Sequence, residues 1–171
     1  MMTRRLLIIG GAGLATGFSL AWRPSVLKAT EIFAVAHSDS EWRKLLTPAQ
    51  YAVLRQSATE LPFSSPLLDE HGLGVFACAG CNQGLFSSET KFDSGTGWPS
   101  FWAPLRDDAI GTSRDTSLGE IRTEVHCEGC GGHLGHVFDD GPKVTGLRYC
   151  INGVAMIFKP GPGLTERHSP S

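Results

Sequence analysis

The chain carries two similar stretches, Cys78-Ala79-Gly80-Cys81 and Cys127-Glu128-Gly129-Cys130, in each of which two residues separate a pair of cysteines. Each such hook can present two sulfurs to one ion from a tight turn, and the glycines in and beside the hooks provide the backbone freedom that tight turns require. Residues 82–126 lie between the hooks. One ion bound by all four sulfurs would therefore hold two distant parts of the chain together.

The chemistry of the hooks leaves three interpretations open. Four thiolates at tetrahedral positions favour zinc, with iron as the alternative ion. The second interpretation is a pair of disulfides, which would persist if the protein is exported, as its first residues suggest below. The third is a redox-active cysteine pair. A redox hook usually stands alone at the start of a helix, whereas two glycine-flanked hooks are typical of a zinc ribbon. The sequence predicts one structural zinc ion, whose ligands are Cys78, Cys81, Cys127 and Cys130.

The size and charge of the chain limit its class. Its 171 residues, 41% of them hydrophobic, are enough for one globular domain with a buried core. The formal net charge is -2 and no long basic run is present. Because a nucleic-acid surface needs clustered positive charge, the composition excludes nucleic acid as a partner.

The chain from residue 74 onward is predicted to be mainly β. Its glycines and prolines, 21 and 10 in the whole chain, lie mostly between short β-branched or aromatic runs, and several of these runs alternate apolar and polar residues. This pattern is typical of antiparallel strands joined by turns. The predicted strands are 74–77, 84–86, 121–125, 136–138, 147–151 and 154–158.

Two capping boxes predict short helices ahead of the β region. Ser38 stands three residues before Glu41, so a helix is expected to begin near Asp39. Thr47 stands three residues before Gln50, with a proline at the first helical position, so a second helix is expected to follow directly.

Residues 1–31 have the form of an export signal. Arg4 and Arg5 precede an uncharged, glycine-rich apolar run from Leu6 to Trp22, which indicates the twin-arginine route. An uncleaved membrane anchor is the alternative, but a membrane span needs about 20 apolar residues and this run is slightly short. Export predicts a location in a bacterial periplasm, with attachment to the inner membrane if the segment stays uncleaved. The folded domain is predicted over residues 32–160 and a loose tail over residues 161–171.

Cys150 is the cysteine that lies outside the hooks, and it is the candidate nucleophile. A free cysteine is often only a small buried hydrophobe. Here, however, Arg148 lies two residues before it and Asn152 two residues after it, so on a strand the three side chains would project from one face. A positive charge so close favours the thiolate over the thiol. We therefore interpret Cys150 as an activated nucleophile.

Two further sets of side chains are candidates for the same site. His133 and His136 follow the second hook, and because four sulfurs already fill a tetrahedral ion, these histidines are available as proton donors. Hydrogen-bonding roles in a turn are the alternative for them. Residues 95–102 form a glycine-loosened loop rich in aromatics, which would line a small-ligand site if exposed and belong to the core if buried.

Five segments resemble the B-type peptide-methionine (R)-S-oxide reductases, and they occur in the order of that family. Together they span roughly residues 32–158. The segments are 41–48 (EWRKLLTP), 85–88 (LFSS), 91–101 (KFDSGTGWPSF), 132–142 (GHLGHVFDDGP) and 148–152 (RYCIN).

The resemblance implies a fold of two antiparallel β-sheets with short N-terminal helices, and a structural zinc on the hooks. It implies that the substrate is methionine-R-sulfoxide in oxidised proteins and that Cys150 attacks the sulfoxide sulfur, which leaves a sulfenic acid. The implied roles of the other residues are protonation of the departing oxygen by His133 and His136, a polar end of the site formed by Arg148 and Asn152, and substrate binding by Trp98 and Phe138.

One departure from the family pattern concerns the return of the enzyme to its reduced state. Thr96 stands where many members carry a resolving cysteine, and no sixth cysteine is present. If the hook cysteines hold zinc, we expect an external reductant, either a thioredoxin-like protein or a small thiol, to reduce the sulfenic acid. The rival hypothesis for the chain is a zinc-ribbon binding module without catalysis, and a general thiol-disulfide exchanger is disfavoured because Cys150 has no partner.

Overall fold

The computed structural model describes residues 32–117 and 119–161. The predicted signal or anchor, residues 1–31, lies outside the described residues, as does the predicted tail beyond its first residue, Gly161. The Gly161 amide donates a hydrogen bond to the Leu73 carbonyl at 3.0 Å. Within the described residues, no helix is long and apolar enough to span a bilayer.

Two short helices begin the described chain. Helix α1 covers Asp39–Leu45 and helix α2 covers Pro48–Gln56. Both predicted capping boxes are present: Ser38 caps α1 together with Glu41, and Thr47 caps α2 together with Gln50. Each box satisfies backbone amides that a helix start leaves without partners. The helix prediction is therefore confirmed.

Nine strands in the described part of the chain form two antiparallel sheets, as the resemblance implied. One sheet has three strands in the order β2-β1-β9, and the other has six in the order β3-β4-β8-β7-β6-β5. The strands are β1 Gly74–Cys78, β2 Gly84–Ser87, β3 Lys91–Phe92, β4 Ser100–Phe101, β5 Ile110–Asp115, β6 Arg122–Cys127, β7 His133–Phe138, β8 Arg148–Ile151 and β9 Met156–Pro160. Three 3-10 helices are Pro66–Leu68, Ser88–Thr90 and Gly153–Ala155.

The predicted strands omit the two-residue strands β3 and β4 and the longer strand β5, and they begin β7 three residues too late. Strand β5 was not predicted, because its sequence holds one large apolar residue, Ile110, and it lies at the edge of the sheet where its side chains alternate in exposure. The last predicted strand, 154–158, begins too early. The Ala155 amide donates to the Asn152 carbonyl at 3.1 Å, which makes a 3-10 turn before β9 starts at Met156.

Aromatic side chains join the two sheets into one core. Phe76 and Phe86 come from the three-stranded sheet and Phe101 comes from the six-stranded sheet, and all three are completely buried. The Phe86 and Phe101 rings stack with centroids 4.4 Å apart, and the Phe76 and Phe101 rings meet edge to face at 5.0 Å. Burying three such side chains contributes several kcal/mol, about 1.5–3 kcal/mol each.

Candidate active site and metal centre

The four hook cysteines converge on one point. Their sulfurs all lie within 4.8 Å of one another. Cys78 Sγ is 3.8 Å from Cys130 Sγ, and Cys81 Sγ is 3.4 Å from Cys127 Sγ. All five cysteines of the chain are free, and a disulfide would need a sulfur separation of about 2.0 Å. The hooks thus form a four-sulfur cluster and not two disulfides, and such a cluster can bind a metal ion.

The two hooks share one backbone conformation. The Asn82 amide donates to the Cys78 carbonyl, and the Gly131 amide donates to the Cys127 carbonyl, both at 2.8 Å. Asn82 and Gly131 occupy the same position in their hooks and have φ angles of 68° and 66°. Only glycine and asparagine adopt this left-handed conformation readily. Each hook is therefore a tight turn that directs both of its sulfurs to one side.

The position of the hooks decides what a bound ion would join. The first hook connects β1 to β2 in the three-stranded sheet, and the second connects β6 to β7 in the six-stranded sheet. Hydrogen bonding with the Cys130 sulfur raises the pKa of the Cys127 thiol far above its ordinary value. Since sulfurs this close cannot all ionise without a compensating cation, the donor set fits a metal ion that links the two sheets.

Helix α2 adds a positive charge to this cluster. The Arg55 guanidinium donates to the Cys130 carbonyl at 3.0 Å and to the Cys130 sulfur at 3.3 Å. The same guanidinium lies over the Trp42 ring, 4.4 Å from its centroid. A donor held in this way stabilises a thiolate at Cys130.

One face of the six-stranded sheet collects the polar residues of the candidate active site. The register places His136 of β7 opposite Cys150 of β8 and also opposite Glu124 of β6, and it places Phe138 opposite Arg148. Paired residues of antiparallel strands point to the same face, as do residues two apart on one strand. The sheet therefore brings together side chains that are far apart in the sequence.

A bulge places His133 beside His136. Two residues three apart on a regular strand point to opposite faces, which would separate the two imidazoles. The pairing of β6 with β7 shifts between Val125 and His126, so that His126 pairs with His133 and the alternation changes. The His133 and His136 rings consequently meet edge to face, with centroids 5.5 Å apart.

Each imidazole is held by a carboxylate. His133 Nδ1 lies 2.6 Å from Glu124 Oε1, and His136 Nε2 lies 2.8 Å from Asp115 Oδ2. Arg122 donates to the same Asp115 oxygen at 2.5 Å. Such carboxylate partners fix both the orientation and the tautomer of a histidine ring.

The charge state of these carboxylates determines which imidazole nitrogen is free. The hydrogen bond from His133 lowers the pKa of Glu124 to about 2, and hydrogen bonds from Ser117 and His136 hold the pKa of Asp115 well below its usual range. An ionised carboxylate only accepts hydrogen bonds. His133 Nδ1 and His136 Nε2 therefore carry protons, and His133 Nε2 and His136 Nδ1 are the nitrogens available to a ligand.

Arg148 favours the Cys150 thiolate, as the sequence predicts, but burial of the sulfur is the larger influence on the pKa of Cys150. Burial of the sulfur raises the pKa of Cys150 above its ordinary value, and this outweighs the opposite effects of Thr96 and Arg148. Arg148 is also engaged elsewhere, because its guanidinium donates to both oxygens of Asp140 at 2.8 Å. Burial likewise lowers the pKa of His136. The resting site is thus biased towards a neutral thiol and a neutral imidazole.

Thr96 occupies the other side of the Cys150 sulfur. Its Oγ1 lies 3.8 Å from Cys150 Sγ and 2.8 Å from Ser94 Oγ. Ser94 Oγ in turn lies 2.7 Å from Ser100 Oγ, and Ser100 is the β4 residue opposite Cys150. Hydroxyls of the loop before β4 therefore form a connected chain that ends at the sulfur.

Phe138, Trp98 and Asn152 are the remaining predicted site residues, and each contacts a different part of the structure. Phe138 lies beneath the Arg148 guanidinium, which is 4.4 Å from the ring centroid. Trp98, two residues before β4, is half-buried, and its indole N–H donates to the Glu60 carbonyl at 3.2 Å. Asn152 follows the end of β8, is buried, and donates to the Leu134 carbonyl at 2.9 Å. The sequence predicted that Asn152 lies on the same strand face as Arg148 and Cys150, but β8 ends at Ile151, one residue before it.

Three residues of this neighbourhood were missed by sequence reasoning: Asp115, Glu124 and Glu60. Asp115 and Glu124 reach the histidines only because β5, β6 and β7 are adjacent. Recognising β5 would have revealed Asp115, since it alternates with Ser113, which donates to Glu124 at 2.6 Å. No local signal marked Glu60.

Comparison with known proteins places the chain in a family. The family model of the SelR domain matches residues 46–160. This range covers both hooks, all nine strands and the residues of the candidate active site. Helix α1, which carries Trp42, lies outside it. The chain belongs to the SelR domain family.

Several similar proteins share one name. A protein of Agrobacterium fabrum named peptide methionine sulfoxide reductase MsrB is 52% identical over 126 residues, which are 74% of this chain and 93% of that protein. Proteins of the same name from Methanosarcina barkeri and Leifsonia xyli are 56% and 55% identical, over 74% and 75% of this chain and 89% and 93% of theirs. The similarity thus extends over nearly the whole length of each relative.

Proposed function

We propose that this chain is an oxidoreductase that reduces methionine-R-sulfoxide in oxidised proteins to methionine. The observation that carries the proposal is the register of β7 and β8, which sets Cys150 opposite His136 on a face that also holds His133 and Arg148. A single reactive thiol beside two carboxylate-bound imidazoles suits a reaction that needs a nucleophile and an acid together. The name shared by the relatives supports the same activity.

The proposed reaction begins at the Cys150 sulfur. The free nitrogen of His133 or His136 first takes the proton of the Cys150 thiol, and the resulting thiolate attacks the sulfoxide sulfur. Since the sulfoxide oxygen leaves only when it is protonated, the same imidazole then passes its proton to that oxygen. The attack joins the Cys150 sulfur to the substrate sulfur as the S–O bond breaks and the oxygen leaves as water. Water then attacks the Cys150 sulfur and breaks the S–S bond, so that methionine and a Cys150 sulfenic acid are the products. The sulfoxide is reduced by two electrons and the cysteine is oxidised by two, which balances the step.

Substrate binding is assigned to the aromatic side chains near this centre. Trp98 would pack against the methyl group of the substrate, and Phe138 would border the site beside Arg148, whose guanidinium lies over its ring. The sulfoxide oxygen carries partial negative charge, which Arg148 would complement. Because Cys150 lies partly exposed on a sheet face, we expect peptide-bound sulfoxide to be preferred over the free amino acid.

Resolution of the sulfenic acid is proposed to need an external reductant. Thr96 provides a hydroxyl and no thiol at 3.8 Å from Cys150 Sγ, and the other four cysteines lie in the metal centre. A thioredoxin-like protein or a small thiol would therefore attack the sulfenic sulfur directly, releasing water and forming a mixed disulfide.

The ion of the metal centre is proposed to be one structural Zn²⁺, held by the four hook cysteines. Zinc accepts four thiolates in a tetrahedral arrangement without redox chemistry of its own. Metal analysis of the purified protein tests this assignment. One zinc per chain is expected, and one iron per chain would contradict it.

Export is proposed from residues 1–31. The paired arginines followed by a glycine-rich apolar run support the twin-arginine route into a periplasm, with attachment to the inner membrane if the segment is not cleaved. Fractionation of cells that produce the full chain tests the proposal. Replacing Arg4 and Arg5 by lysines should retain the protein in the cytoplasm, and unchanged export would contradict the route.

A stereochemically resolved assay tests the enzymatic proposal. Peptides containing either methionine-R-sulfoxide or methionine-S-sulfoxide are incubated with the protein and a dithiol, and methionine is quantified. We expect turnover of the R peptide alone. Equal turnover of both, or of neither by metal-loaded protein, would contradict the proposal.

A further inference from the structure

Glu60 lies outside the sheets but makes hydrogen bonds to two parts of the candidate site, the turn after β8 and the Trp98 side chain. It belongs to residues 57–65, the loop between α2 and the first 3-10 helix, which we call the Glu60 loop. The Glu60 carboxylate accepts hydrogen bonds from the Gly153 amide at 2.5 Å and from the Val154 amide at 3.0 Å. These amides directly follow Asn152, just after the strand that carries Cys150.

The backbone of Glu60 makes two further hydrogen bonds, and both reach predicted site residues. Its amide donates to Asn152 Oδ1 at 2.9 Å, and its carbonyl accepts from the Trp98 indole at 3.2 Å. Asn152 in turn donates to the Leu134 carbonyl of β7 at 2.9 Å. One residue therefore joins the turn after β8, the strand β7 and the loop before β4.

Other residues of the Glu60 loop contact the loop before β4 and the turn after β8. The Phe63 amide donates to the Gly97 carbonyl at 2.7 Å, next to Trp98. A methyl group added at Gly153 would overlap Ser65, so the turn after β8 lies directly against this loop. The hydrogen bonds of the Glu60 carboxylate therefore lie where this loop packs closely against the turn after β8.

We infer that Glu60 is a positioning residue of the sulfoxide-reduction site, one that sets the orientation of the Trp98 indole. The inference rests on the proposed function of that site. Two hydrogen bonds to the Glu60 carboxylate fix the position of residue 60, and the backbone carbonyl of that residue is the acceptor for the Trp98 indole N–H. A binding wall held at one orientation makes the same contact with the substrate in the ground state and in the transition state, so its displacement weakens the binding of both.

A double-mutant cycle tests the inference on the full, metal-loaded chain. Glu60→Ala removes both carboxylate bonds, and we expect it to raise KM for the R-sulfoxide peptide about tenfold with a smaller change in kcat, since it disturbs binding of substrate and transition state alike. In a Trp98→Phe background the same change should alter KM less than about twofold, because the indole through which Glu60 acts is gone. Equal effects in both backgrounds would overturn the inference.

Fluorescence provides a measurement that does not depend on activity. Glu60→Ala should shift the tryptophan emission of the wild-type chain and leave that of the Trp98→Phe chain unchanged. The matched control is Glu89→Ala, which removes an exposed carboxylate from the 3-10 helix Ser88–Thr90 and should change neither KM nor emission. Emission identical in Glu60→Ala and wild type would overturn the inference.

A milder variant covers the case in which Glu60→Ala does not fold. Glu60→Gln retains one acceptor oxygen and loses the other, so KM should rise about threefold, with metal content unchanged. An unchanged KM in Glu60→Gln would overturn the positioning role. If the wild-type chain reduces no sulfoxide at all, the proposed function fails, and the fluorescence comparison still decides whether Glu60 orients Trp98.

Discussion

At the scale of single residues, the Cys150 sulfur is the centre of the proposed chemistry, and its surroundings act on it in opposite directions. Burial raises the pKa of the thiol, while Thr96 and Arg148 lower it by smaller amounts. Asp140 reduces what Arg148 contributes, because its two carboxylate oxygens accept hydrogen bonds from Nε and Nη2 of the Arg148 guanidinium. A resting thiol of this kind is protected from oxidation, since the thiolate is the reactive form.

The first prediction concerns the alkylation rate of Cys150. A raised pKa means that the thiolate fraction is small at neutral pH and grows as the pH increases. The rate of modification by iodoacetamide, followed by peptide mapping, should therefore still rise between pH 8 and about pH 9, near the ordinary thiol value. A rate that is already constant from pH 7 upwards would show an ionised resting thiol instead.

The second prediction concerns the carboxylate behind His133. Glu124→Gln replaces the ionised partner of His133 Nδ1 by a neutral amide, which stabilises a protonated imidazole less. If His133 donates the proton, the single-turnover rate should fall about 10²-fold, the lower end of general acid catalysis. Glu120→Gln, at an exposed position before β6, is the control and should leave the rate unchanged. A Glu124→Gln rate within twofold of wild type would argue against His133 as the donor.

At the scale of elements, the pairing of β6, β7 and β8 assembles the site. Both hooks and both helices could be predicted from the sequence, because a hook and a capping box are local patterns of four residues. The roles of Asp115 and Glu124 and the orientation of His133 could not, because they depend on which strands are neighbours and on the register shift between β6 and β7. Long-range pairing and a shift of one residue leave no local signal.

The third prediction concerns the contact between β7 and β8. A methyl group added at Gly135 would overlap the carbonyl oxygen of Cys150. Gly135→Ala should therefore force the strands apart, destabilise the protein by about 2 kcal/mol and slow sulfoxide reduction. Gly161→Ala is the control, since a methyl group there meets open space. Denaturant unfolding and activity assays of both variants check the expectation, and a Gly135→Ala protein as stable as the control would refute it.

At the scale of the whole molecule, the metal centre and the aromatic core both connect the two sheets. The hooks belong to different sheets, so an ion bound by both acts as a crosslink between them. The Phe76, Phe86 and Phe101 rings make the second connection. The active-site face is built on the same strands β6 and β7 whose connection forms the second hook, so we expect the geometry of the site to depend on a bound metal.

The fourth prediction is the effect of metal removal. Binding of a structural zinc ion supplies about 10–16 kcal/mol in small zinc domains, which is comparable with the whole stability of a domain. Even about 5 kcal/mol lost on chelation should lower the thermal midpoint by about 15 °C, at roughly 3 °C per kcal/mol. Cys150→Ser should show the same decrease, because its sulfur lies outside the cluster. A chelated protein with an unchanged midpoint would exclude a structural role for the ion.

The most direct measurement is a single turnover without reductant. Metal-loaded protein is mixed with an excess of methionine-R-sulfoxide peptide, methionine is quantified, and the state of each cysteine is read by mass spectrometry after trapping with a sulfenic-acid reagent. We expect one methionine per chain, a sulfenic acid at Cys150 alone, and neither product from Cys150→Ser. Methionine formed by Cys150→Ser, or oxidation at the hook cysteines with Cys150 still reduced, would contradict the central role of this thiol.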